Sequence, residues 1–222
     1  MRPLGALAYA AALIAFGALA WLVRQPGIPP IDPAVTRALH DPASPSLDAL
    51  MNAVTGLGSS VVLVAVVACV AGVLAVRRHR AEAVLLVLAL GGTLVLNDVL
   101  KSIVQRPRPD VEWAAVWPES SFPSGHSMNS LVIYLALALV TWRLAGHRVG
   151  VVALVLAATV PISVGISRIY LGAHWMTDVI GGYLAGGLWL SALVVVWTGR
   201  VPSPSAGRSP VRAPDQGASA GV

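Results

Sequence analysis

Six long apolar runs, separated by short polar segments, set the pattern of this chain. They cover Leu4–Val23, Leu57–Val76, Ala81–Leu100, Ser127–Trp142, Val149–Ile166 and Val179–Trp197. A helix needs roughly 17–25 apolar residues to cross a hydrocarbon core. Most of the runs reach that length. The fourth and fifth are short for it, so their helices are expected to extend into flanking polar residues. Each run is expected to be helical, because a lone strand would leave its backbone groups unsatisfied in lipid. Buried helices of a soluble protein are the bland alternative, and six such runs in 222 residues disfavour it. The expectation is an all-α, polytopic membrane protein with six transmembrane helices.

The remaining segments are polar. Arg24–Gly56 is rich in Pro, Asp and Ser and reads as an external loop with one short interfacial helix around Leu47–Val54. The chain after Gly199 is rich in Pro, Ser, Gly and Ala and reads as a disordered cytoplasmic tail. A membrane domain over 1–198 and a tail over 199–222 follow. The first run has features of a signal peptide, with Arg2 before it and Ala18 and Ala20 near its end. Its length favours a retained helix.

Composition supports the membrane reading. Hydrophobic residues make up 56% and charged residues 11%, against about 25% charged in soluble domains. The net charge of +5 would suggest a nucleic-acid partner in a soluble protein. Here the basic residues lie between apolar runs, so they report topology and no nucleic acid is expected. Arg2, Arg77, Arg78, Arg80, Arg143, Arg148, Arg200, Arg208 and Arg212 fall on one side of a six-span layout. An excess of Lys and Arg marks the cytoplasmic side. Both termini are therefore expected in the cytoplasm of a cell-membrane protein. The single cysteine, Cys69, permits no disulfide within the chain.

Three segments break the apolar pattern: residues 101–109, 121–129 and 167–178. All emerge on the same, outer side, so they can converge. Charges are costly at the bilayer centre, about 2.5–3.5 kcal/mol each by insertion, so this density requires an interface or a watered cavity. Lys101, Arg108 and Arg168 together suit a polyanion. Arg offers a fork matched to phosphate oxygens and Lys a point charge. Ser124, Gly125 and His126 stand at the start of the fourth run, where free N–H groups and the helix dipole favour phosphate. Gly125 would let the backbone come close to a ligand. His174 and Asp178 are spaced i, i+4, so the carboxylate can fix the imidazole tautomer. One histidine can attack phosphorus and the other protonate the departing oxygen.

Each residue also has a bland reading. Lys101 and Arg108 alone would be headgroup anchors, and His126 a helix cap. His174–Asp178 could be a structural hydrogen bond. Arg106 reads as a headgroup or solvent contact, and Asn97 and Asp98 as structural. Trp21, Trp142, Trp175 and Trp197 read as an interfacial belt. Gly181, Gly182, Gly186 and Gly187 read as close helix packing.

Order and spacing decide among these. Lys101-x6-Arg108-Pro109, Pro123-Ser124-Gly125-His126 and Ser167-Arg168-x5-His174-x3-Asp178 resemble the three signature motifs of the type 2 phosphatidic acid phosphatase superfamily. Met176 departs from the pattern, standing where many relatives have proline. The resemblance implies a metal-independent, cofactor-free phosphatase of membrane lipid phosphates. It implies His174 as nucleophile, Asp178 as its orienting partner and His126 as general acid and then base. Lys101, Arg108, Arg168, Ser124 and Gly125 would bind the phosphoryl oxygens. Undecaprenyl pyrophosphate, phosphatidic acid and phosphatidylglycerol phosphate are the substrates expected. Transfer of the phosphoryl group to a lipid or sugar acceptor is the rival enzyme reading. A non-enzymatic anion or lipid carrier is the rival of another class, and it would need the cations but neither histidine.

Overall fold

The computed structural model describes residues 3–115 and 119–200. It holds eight helices and no strand among those residues: α1 (Pro3–Leu22), α2 (Ile31–His40), α3 (Pro45–Gly56), α4 (Ser60–Val76), α5 (Arg80–Val104), α6 (Gly125–Ala145), α7 (His147–Tyr170) and α8 (Met176–Arg200). The expected all-α class holds.

Local chemistry sets the helix ends. Ser44, Ser59 and Ser124 stand in extended conformation before α3, α4 and α6, and each side chain accepts a backbone N–H of the first turn. That is the preferred N-cap arrangement. Gln105 ends α5 with φ 51°, the left-handed cap conformation that turns the chain out of the helix.

Five helices, α1, α5, α6, α7 and α8, are long and apolar enough to cross a membrane. The second apolar run behaves differently. α4 has 17 residues, and α3 precedes it at a 45° bend; the two together make the sixth candidate span. As expected, the short fourth and fifth runs lengthen at their ends, to 21 and 24 residues.

α6 is the hub and packs against α4, α5, α7 and α8. The core between them is apolar, with Leu63, Leu86, Ala89, Val132, Ile133 and Ala136 fully buried. The glycines of α8 bring it close to α6. A Cβ on Gly182 would lie 2.7 Å from the Ser124 carbonyl oxygen, and one on Gly186 would lie 3.1 Å from that of Met128. Gly187, by contrast, faces open space. α1 runs along α8 and contributes no buried residue to the bundle.

Three expectations need correction. The segment 24–56 holds two helices, because Ile31–His40 also folds, and α2 and α3 pack on α7. Trp175 does not belong to an interfacial belt. It is buried, and its indole N–H donates to the Pro107 carbonyl. α8 continues to Arg200, and the rest of the expected tail lies outside the described residues.

Candidate active site

The three polar segments meet at one end of the bundle, and backbone bonds join them. Ser121 N–H donates to the Arg106 carbonyl at 2.8 Å, and Ser124 N–H to the Asp178 carbonyl at 3.0 Å. The Arg108 guanidinium donates to the Ala173 carbonyl at 2.7 Å. The left-handed turn at Gln105 aims residues 106–109 back across the bundle end.

His174 lies at the centre and is 2% exposed. It sits in the turn before α8 rather than on the helix, which starts two residues later at Met176. Its Nδ1 is 3.6 Å from Asp178 Oδ2 and 3.5 Å from the Ser121 hydroxyl. Its Nε2 is 3.3 Å from Arg108 Nη1. A guanidinium can only donate, so Nε2 must carry the lone pair and Nδ1 the proton. That is the tautomer a nucleophilic Nε2 needs. Burial pushes the imidazole pKa down to about 4. The Asp178 contact works against that shift, and the cations Arg168 and Arg108 reinforce it. At neutral pH the ring is therefore uncharged.

Asp178 has no exposure and both its oxygens are engaged. Oδ2 accepts from the Trp175 N–H at 2.8 Å and from the Ser121 hydroxyl. The first of these bonds is half of a capping box, with the third residue of α8 reaching back to the residue before the helix. Oδ1 accepts from Arg106 Nη1 at 2.5 Å. Arg106 Nη2 in turn donates to Asp32 Oδ2 at 2.7 Å. Sequence reasoning took Arg106 for a headgroup or solvent contact. It is 4% exposed and is clamped between two buried carboxylates. Its neighbours Pro107 and Arg108 conceal this, because Arg-Pro-Arg-Pro reads as a run of surface cations. Asp32 was missed altogether, for its partners lie 74 and 145 residues away.

The cations expected to bind phosphate gather around His174. Arg168 is 6% exposed and donates to Thr55 Oγ1 on α3 at 3.0 Å. Lys101 Nζ and Arg108 Nη2 each lie 3.7 Å from the exposed Glu119 carboxylate, which bridges them. Arg108 also donates through Nε to the Glu119 carbonyl at 2.9 Å. His126 is the second residue of α6 and is partly exposed, and the cations Arg168, Lys101 and Arg108 all lie near enough to bear on it.

Ser124 and Gly125 are placed by packing. The Ser124 hydroxyl is buried and accepts from the Ser127 N–H and hydroxyl at the start of α6. A Cβ on Gly125 would lie 2.9 Å from Asn97 Oδ1. Gly125 is thus needed for α5 to approach α6, whatever it also does for a ligand. Asn97 donates to the Pro123 carbonyl at 3.3 Å, in keeping with a structural role. Among the described residues, no group of three His, Cys, Asp or Glu side chains is arranged to hold a metal ion.

The PAP2 superfamily model matches residues 82–202, more than half of the chain. The chain belongs to the PAP2 superfamily. Its PAP2 relatives are membrane proteins. Phosphatidylglycerophosphatase B of Bacillus subtilis (strain 168) is 33% identical over 172 residues, covering 76% of this chain and 84% of its own. The undecaprenyl-diphosphatase of Sulfolobus acidocaldarius is 31% identical over 130 residues, 54% of this chain and 56% of its own. The crystal structure of a transmembrane PAP2 type phosphatidylglycerolphosphate phosphatase from Bacillus subtilis superposes with a TM-score of 0.80. It is 29% identical, and the match covers 87% of this chain and 97% of that one. This chain is accordingly a multi-pass membrane enzyme of the PAP2 phosphatases.

Proposed function

We propose that this PAP2 protein hydrolyses a lipid phosphate or diphosphate through a phosphohistidine on His174, without a metal. The carrying observation is the setting of that ring: Nδ1 faces Asp178 at 3.6 Å and Nε2 lies beside Arg108 at 3.3 Å. Nε2 attacks phosphorus while Asp178 stabilises the positive charge that grows on the ring. His126 protonates the departing lipid oxygen, then takes a proton from the water that cleaves the phosphohistidine. Lys101, Arg108 and Arg168 hold the phosphoryl oxygens, with Ser124 and Gly125 at the α6 N-terminus. Three cations supply the charge stabilisation that a metal gives other phosphoryl-transfer enzymes. Glu119 must yield its two cations to the incoming phosphate.

The relatives named above support phosphatidylglycerol phosphate and undecaprenyl diphosphate as substrates, and phosphatidic acid shares the same reacting group. The Arg-rich opposite end of the bundle favours an extracytoplasmic site. The purified protein in detergent, in excess chelator, should release inorganic phosphate from a panel of these lipids. Absence of release from every member would overturn the reading. Cysteines introduced at Ser102 or Ser120, with Cys69 replaced, should label from outside the cell. Labelling from the cytoplasmic side alone would invert the topology.

A further inference from the structure

We propose that Asp32 and Arg106 are positioning residues for the hydrolysis proposed above, acting on His174 through Asp178. The inference rests on that reading. It places part of the reaction's machinery outside the PAP2-matched region, since α2 lies well before residue 82.

The geometry is that of a chain of charges. Arg106 uses Nη1 for Asp178 Oδ1 at 2.5 Å and Nη2 for Asp32 Oδ2 at 2.7 Å. Asp32 also grips the start of α8. It accepts from the Thr177 N–H at 3.0 Å and from the Thr177 hydroxyl at 2.6 Å. The Thr177 hydroxyl accepts in turn from Arg106 Nη1 at 2.7 Å. Asp32 and Asp178 have no exposure, and Arg106 has 4%.

Such a cluster is expensive to bury, so its charge balance is informative. Arg106 alone against Asp178 would be a neutral pair with little field left for the imidazole. With Asp32 on the other arm, two carboxylates share one guanidinium. One net negative charge remains, and it borders His174. The positive end of α8 helps carry it. Asp32 thus draws Arg106 off Asp178 in part, leaving Asp178 able to stabilise an imidazolium. The same fork fixes the Asp178 rotamer and so the orientation of Nδ1–H.

A merely structural role for α2 could be met by apolar packing. A buried ionic grip on the catalytic carboxylate is not needed to dock a ten-residue helix.

The test compares the full chain with Asp32→Asn, Arg106→Gln, Arg106→Lys and the Asp32→Asn/Arg106→Gln double variant. Steady-state turnover and single-turnover phosphohistidine formation are measured in detergent with the panel lipid that the unaltered chain turns over fastest, radiolabelled in its terminal phosphate, and melting temperature is followed alongside. Asp32→Asn should slow phosphohistidine formation and kcat by about 10–100-fold with KM changed less than about 3-fold, because misplacement of reacting groups is felt in the transition state. The double variant should be no more than about 2-fold slower than Arg106→Gln, because the amide can still accept from the Thr177 N–H and the charge of Asp32 reaches Asp178 only through the arginine. Arg106→Lys should recover part of the lost kcat. Asp32→Asn with kcat near that of the unaltered chain would overturn the inference while the proposed function stood. So would losses that multiply in the double variant, or a kcat loss that merely tracks lost folded protein. An unaltered chain that turned over no member of the lipid panel would overturn both. Where Arg106→Gln fails to fold, the kcat-against-KM split of Asp32→Asn decides alone.

Discussion

The two ends of the bundle both carry arginines, and they use them in opposite ways. At the motif end, Arg106, Arg108 and Arg168 are turned inward and bonded to Asp178, Asp32, the Ala173 carbonyl and Thr55. At the other end, Arg77, Arg78, Arg80 and Arg148 are exposed. There, among the described residues, the buried charge is Glu82, paired at 2.9 Å with the half-buried Arg143, whose guanidinium lies over the Trp197 ring. The number of cations does not separate a reactive end from a topological one. Their direction does. Inward cations are held by buried carboxylates, a carbonyl and a hydroxyl around a buried imidazole. Outward cations need only water and lipid headgroups.

The sharpest way to break this contrast is His174→Ala. Turnover should fall by at least about 1,000-fold, since the attacking atom is gone. Phosphate release in chelator measures it, and turnover that survives would remove His174 as the nucleophile. Arg168→Ala and Arg108→Ala should each cost about 100–1,000-fold in kcat, as loss of a preorganised donor does. Vanadate inhibition should weaken in parallel.

A third experiment reads the motif end by pH. The His174 ring should titrate near pH 4 rather than 6.5, seen by nitrogen NMR of labelled imidazole in detergent. Between those values the unfolded chain binds the extra proton, so stability rises with pH through that window. A ring that titrates at or above 6.5 would mean that Asp178 outweighs burial and the two arginines.

The smallest effects belong to the other end. Arg143→Ala should leave turnover within about twofold while costing about 1–3 kcal/mol of stability, for it strands Glu82 in the bundle. Arg77→Ala should change stability by no more than about 0.5 kcal/mol. A large loss of turnover in either would erase the distinction between the two ends.

The helices were readable because lipid makes the signal local. Most residues of a span must be apolar, so a run of about twenty declares itself without knowledge of its partners. α2 gives no such signal. Ile31-Asp-Pro-Ala-Val-Thr-Arg-Ala-Leu-His40 is short and half polar, and it is stable only against α7 and α8. The expected site residues could be named from spacing, because motif residues keep fixed intervals within each segment, and the fold brings those segments together. Asp32 and Arg106 keep no interval that chemistry demands. The role proposed for them rests on a pairing across 74 residues that only the folded chain displays. Trp175 misled for a related reason. A tryptophan next to a span is expected at the interface, and here a turn carries it inside to meet Pro107.

The placement of Asp178 near the start of α8 also bears on biogenesis. This helix follows the other seven out of the ribosome, yet it brings the carboxylate that His174, Arg106 and Ser121 all await. A partly inserted chain has its cations and both histidines, and Ser121 for Nδ1, but no carboxylate beside the ring. Under the proposed mechanism, hydrolytic competence would arrive only with the eighth helix, and a chain stalled before it would keep the phosphate-binding cations without the carboxylate that supports His174.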